Sequence, residues 1–92
     1  MIPSDLNSPE YLDVQATVAR ERPAIHRKVE KIIKLLSTLS DVSQKQAICE
    51  LTAVWISALY PDDPKMALSL SDAMREQTDI YITSAAQYRQ QH

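Results

Sequence analysis

Residues 43–60 read SQKQAICELTAVWISALY, and Pro61-Asp62-Asp63-Pro64 follows at once. Ala47, Ile48, Leu51, Val54, Trp55, Ala58 and Leu59 recur at intervals of three and four, the period of a helix with one apolar face. Cys49, Ala53, Ile56 and Tyr60, at i, i+4, i+7 and i+11, form a second stripe on the far side of that helix. A helix apolar on two sides is expected to be covered on two sides. Pro61 ends the pattern. Asp63 is placed to cap the next helix and Pro64 to open it.

The composition agrees with this helical reading. The 92 residues include no glycine, where average usage would supply about six. Glycine serves tight hairpins, left-handed helix caps and phosphate-cradling loops. A chain without it must turn on Pro, Asp, Asn and Ser, which excludes those devices and favours helices joined by short polar connections.

The remaining elements extend outward from the quoted stretch. On the carboxyl side, Pro64 to about Tyr88 carries Met66, Leu70, Ala73, Met74, Gln77, Tyr81, Ser84, Ala85 and Tyr88 on one face, and residues 89–92 are expected to fray. On the amino side, Ser40-Asp41-Val42-Ser43 is a turn with capping residues. Before it, Pro23 to about Leu39 shows Ile25, Val29, Ile32, Ile33 and Leu36 as a stripe, with Arg27, Lys31, Lys34 and Glu30 opposite. Pro23 lacks a donor for Ala19, so it is expected to break or kink the chain or to open this helix. An earlier helix, Pro9 to about Arg20, is capped by Ser8 and carries Tyr11, Val14 and Val18 on one side. Residues 1–7 read as an extended lead-in. The expected fold is all-α, a small bundle of three to four antiparallel helices forming one domain over residues 1–92.

Apolar content of 45% with 24% charged residues fits a globular chain. The longest purely apolar run is Ala53-Val54-Trp55-Ile56, so neither a membrane span nor a signal-peptide core is expected. Cys49 is the single cysteine, which allows no internal disulfide and no cysteine metal cluster. The expected location is the reducing cytoplasm.

Charge is unevenly spread. Arg20, Arg22, Arg27, Lys28, Lys31 and Lys34 stand against Glu21 and Glu30, so residues 20–34 carry +4. The chain totals −2, and the remainder therefore carries −6. A basic face of Arg27, Lys31 and Lys34 is either solvated or set against acidic protein surface, in this or another chain. A nucleic-acid-binding regulator is the alternative. The absence of interleaved aromatic residues for base stacking disfavours it.

Asp72, Glu76 and Asp79 project from one side of the last helix at i, i+4 and i+7. The spacing Glu76-x-x-Asp79 is similar to that of all-helical nucleotide pyrophosphohydrolases. That resemblance implies magnesium held by further carboxylates on a neighbouring helix, where the chain offers only Glu50. The carboxylates read instead as a solvated face with Arg75 pairing with Asp79. His26 and Cys49 are the other reactive side chains, and no feature of the sequence brings them together. Cys49 reads as a small buried packing residue. No catalytic residue, cofactor or metal is expected.

The functional expectation is a small non-catalytic protein that acts by binding another protein, as a homodimer. Small accessory factors, assembly chaperones and inhibitors of bacteria and phages share this build. The stripe of Cys49, Ala53, Ile56 and Tyr60 is the expected partner interface, since small residues at 49 and 53 let a second helix approach closely; the alternative is that the first or last helix of the same chain covers this side.

Overall fold

A computed structural model describes residues 9–91. The lead-in of residues 1–7, the Ser8 cap, the side chain of Tyr11 and His92 fall outside the described residues. The fold is all-α, a small bundle of three helices, with no strand among the described residues: α1 (Pro9–Leu36), α2 (Asp41–Leu59) and α3 (Pro64–Gln91).

The expected break at Pro23 does not occur. Pro23 lies inside α1, which runs unbroken for 28 residues. A proline in a helix interior costs about 3 kcal/mol relative to alanine, because the carbonyl four residues back loses its donor. Ala19 and Pro23 are both exposed, so solvent can serve that carbonyl. Strong helix formers surround the site, and stopping the helix would require a second nucleation. Glu10 in the first turn and Lys34 in the last complement the helix dipole.

Each boundary is built from side chains and tight turns rather than glycine. At the end of α1 the Ser37 hydroxyl donates to the Lys34 carbonyl at 2.6 Å. The Leu39 amide donates to the Leu36 carbonyl at 2.9 Å. Ser40 then caps α2, its hydroxyl accepting from the Ser43 amide at 3.3 Å and its carbonyl from the Gln44 amide at 2.8 Å. The Gln44 side-chain amide reaches back to the Leu39 carbonyl at 2.8 Å. With Ser40 as the cap, α2 starts at Asp41, two residues before the expected Ser43.

Asp63 caps α3 as expected. Its carboxylate accepts from the Met66 amide at 3.1 Å, and its carbonyl accepts from the Ala67 amide at 3.0 Å. Pro64 occupies the first helical position, where a missing donor costs nothing. Thr78 and Thr83 donate their hydroxyls to the carbonyls four residues back, of Met74 and Asp79. The expected fraying of residues 89–91 is not seen, and α3 continues through Arg89 to Gln91. No proline or glycine interrupts it there, and Arg89 suits the negative end of the dipole.

The chain divides into two compact units, with the boundary inside α2 between Leu51 and Thr52. In the unit that contains α1, Thr17, Val18, Ile25, Leu36, Gln44 and Ala47 are half-buried. In the unit that contains α3, Ile56 is buried. Thr52, Tyr60, Ala67, Leu70, Ser71, Ala73, Met74 and Ala86 are half-buried in the same unit. Thr52, Ile56 and Tyr60 recur every four residues, and Ala67, Leu70 and Met74 every three to four, so each set occupies one side of its helix.

Candidate association surface

The two apolar sides of α2 are treated oppositely. Ile56 is 5% exposed, and among the described residues it is the one buried side chain. Thr52 and Tyr60 flank it at half burial. The larger face is in water: Trp55 is 51% exposed and Val54 68%, and Ile48, Leu51 and Leu59 are exposed with them. Ala47, on that same larger face, is half-buried, so it is from residue 48 onward that the larger face is the exposed one and the helix is not covered on two sides within the chain. A slim side bearing Thr52 beside Ile56 admits a close neighbour.

The four residues of the second stripe are separated by this arrangement, and Cys49, expected to be buried, is exposed because coverage of this side begins only at Thr52. Ile56 is turned inward, Tyr60 is half-buried, and Cys49 and Ala53 are exposed. Leu51, Trp55 and Leu59, at i, i+4 and i+8, are exposed.

Arg27, Lys31 and Lys34 are all exposed on α1. Their spacing of four and three puts them in one row, opposite the side that carries half-buried Ile25 and Leu36. On α3, Asp72, Glu76 and Asp79 are likewise exposed and repeat the spacing of four and three. Arg75 does not pair with Asp79 as expected. Its guanidinium stands 3.8 Å from the Asp72 carboxylate, with both side chains about two-thirds exposed or more. Positions three apart are as close on a helix surface as positions four apart, so both carboxylates compete for the one cation. Such a pair contributes at most about 1 kcal/mol.

The outer side of α3 is not purely polar. Leu68 lies four residues before Asp72, Ile80 four after Glu76, and Ile82 three after Asp79. Leu68 is 67% exposed and Ile82 61%, and Ile80 is exposed with them. On α1, Leu35 lies four residues after Lys31 and is also exposed. The stripes drawn from sequence passed over these four aliphatic residues. Their signal was present, as large apolar side chains that fall off the main helical face.

Among the described residues no group of three or more His, Cys, Asp or Glu is placed to hold a metal ion. Glu50 accepts a hydrogen bond from the Gln46 side chain at 3.1 Å. His26 on α1 and Cys49 on α2 are both exposed. No helix among the described residues is long and apolar enough to cross a membrane. Set against known protein families, curated proteins and solved structures, the chain matches none.

Proposed function

We propose that this chain is a non-catalytic helical protein that works as a homodimer by binding another protein, with the exposed face of α2 as the surface that protein covers. The observation that carries the reading is the inversion on α2: the larger apolar face is in water and the smaller one holds the buried residue. Covering a Leu, Val or comparable side chain stabilises by about 1.5–3 kcal/mol, so Leu51, Val54, Trp55 and Leu59 represent a large unrealised gain. Contiguous exposed apolar surface marks interaction sites, and tryptophan is enriched among the residues that dominate binding energy. A chain of 92 residues buries little more than about 60% of its unfolded surface alone, and a partner adds what the core lacks. An accessory, chaperone-like or inhibitory role needs no more than such a surface. The exposed thiol of Cys49 fits a reducing compartment, and we place the protein in the cytoplasm.

The exposure of Arg27, Lys31 and Lys34 supports a second reading, contact with nucleic-acid phosphates. Residues 20–34 contain no Phe, Trp or Tyr and include Glu21 and Glu30, which oppose that contact. Protein surface is the better fit.

Trp55 is the single tryptophan and reports on its own burial. Immobilised chain should retain a protein from an extract of the cell that makes it. Trp55→Glu should lose that protein and Cys49→Ser should keep it. Titrating the retained protein onto free chain should move the Trp55 emission to shorter wavelength. The same proteins retained by wild type and Trp55→Glu would overturn the reading.

A further inference from the structure

We infer that α1 lies along an anionic lipid surface, with Arg20, Arg27, Lys28, Lys31 and Lys34 on the headgroups and Leu35 dipping between them. The inference goes beyond the protein-binding reading of α2 and uses α1 alone. Three observations carry it. First, the five cations share one side of the helix. At about 100° per residue they fall within an arc of about 120° and span about 21 Å of helix. Over residues 20–35 that arc holds no carboxylate, and Glu21 and Glu30 lie outside it, one beyond each edge. Second, all five are exposed, and no ion pair within the described residues engages them. The centre of the row lies about 130° round the helix from half-buried Val18, Ile25 and Leu36, so it faces away from the side where burial falls. Third, the row is not purely polar. Leu35 falls inside it, between Lys31 and Lys28 around the helix, and is 76% exposed. Ile32, four residues after Lys28, borders the row and is exposed too.

These features select the occupant. A cluster of basic residues on an amphipathic helix is the pattern that an anionic leaflet attracts. A leaflet is flat and presents one sign, so the carboxylate-free row meets it while Glu21 and Glu30 stay in water at its edges. A DNA major groove encloses a helix and would press phosphates against both glutamates. Protein surfaces intersperse both signs, which a row of one sign does not match. A protein surface therefore fits the row better than a nucleic acid does, and a bilayer leaflet fits it better than either. An aliphatic side chain among cations has an acyl boundary to enter at a bilayer and nothing comparable on a phosphate backbone. The apolar stems of the lysines can lie along that boundary while their ammonium groups reach the headgroups. The contact is peripheral, since no helix among the described residues is long and apolar enough to span.

Vesicle co-sedimentation of the full chain tests this, with vesicles of phosphatidylcholine alone or of equal parts phosphatidylcholine and phosphatidylserine. The wild type should bind the mixed vesicles at least about tenfold more tightly, since each basic residue near an anionic leaflet strengthens binding about fivefold. Raising salt from about 0.1 to about 0.5 M should weaken that binding at least about tenfold. Lys31→Glu should weaken it at least about fivefold, and Lys28→Glu combined with Lys31→Glu at least about 25-fold. Leu35→Gln should weaken it about threefold or more. The three residues are exposed, so the unbound variants should keep their helicity. Should one unfold, the wild type's choice between the two vesicles and its salt response decide. Equal binding to both vesicles, no binding to either, or binding indifferent to these substitutions overturns the proposal. Lysine reversals that spare vesicle binding but abolish retention of a protein assign the row to protein and overturn it as well. Loss of vesicle binding in Trp55→Glu but not in Lys31→Glu moves the contact to α2 and overturns the assignment to α1. Retention of a protein by wild type and its loss in Trp55→Glu judges the α2 reading separately.

Discussion

Trp55 and Ile56 are neighbours in the chain and opposites in environment: Trp55 is 51% exposed and Ile56 is 5% exposed. One residue turns a helix by about 100°, and within that arc α2 passes from the surface of the protein to its interior. The larger side chain is the one left outside, which is the reverse of what folding alone favours.

The pair yields a stability test. Ile56→Ala removes the one buried apolar side chain among the described residues and should cost about 2–4 kcal/mol. Trp55→Ala should cost the isolated monomer less than about 1 kcal/mol, as surface substitutions do. Urea titrations followed by circular dichroism, at concentrations where the chain is monomeric, measure both. Equal losses would place Trp55 inside.

The caps make a second test. Ser40 and Asp63 each satisfy an amide in the first turn of a helix. Ser40→Ala and Asp63→Ala should each destabilise by about 1 kcal/mol, and Ser40→Gly by only a few tenths. Asp63 also places a negative charge at the positive end of α3, so its loss should be the larger and should shrink with added salt. Thermal melts of the three variants read this directly.

Pro23 makes a third. It sits in the interior of an unbroken helix, so Pro23→Ala restores the bond to Ala19. The gain should be about 1–3 kcal/mol, the helix-interior penalty less the chain stiffness that proline supplies to the unfolded state. A higher melting temperature with unchanged helicity is the expected result. Lower stability would mean that Pro23 holds a bend that α1 needs.

The remaining chemistry of the surface gives a fourth. Mobility-shift assays with DNA and RNA at about 0.15 M salt should show no submicromolar binding, since non-specific contacts alone give dissociation constants of about 1–100 micromolar. Magnesium or manganese should leave the melting temperature unchanged, in Glu76→Gln as in wild type. Submicromolar binding lost on reversing Arg27, Lys31 and Lys34, or a metal response lost in Glu76→Gln, would redirect the function to nucleic acid or to phosphate chemistry.

Much of the architecture was legible in the sequence because it is set locally. Asp63-Pro64 opens a helix through its own side chain and its own missing donor. The absence of glycine and the three- and four-residue stripes excluded hairpins. Pro23 was misread because its penalty is local while the gain that outweighs it is spread along all of α1. The two sides of α2 were read correctly as apolar. Which side is covered depends on what packs against it, and no periodicity within α2 encodes that. Arg75 had two acceptors within reach, Asp72 and Asp79, and spacing alone does not rank them. Leu68, Ile80 and Ile82 were passed over because averaging a helix into one apolar stripe discards residues that fall outside it.

No described residue has a positive φ. Every described backbone position thus lies where a β-carbon is tolerated, so no position requires glycine and none carries left-handed strain. Substitution is limited by what each side chain touches rather than by the path of the chain. On a protein whose outer rows are nearly all in water, those limits are few. The surfaces of α1, α2 and α3 can therefore be rewritten residue by residue while the scaffold persists, a condition under which binding specificity can drift, duplicate and be re-selected faster than the fold that carries it.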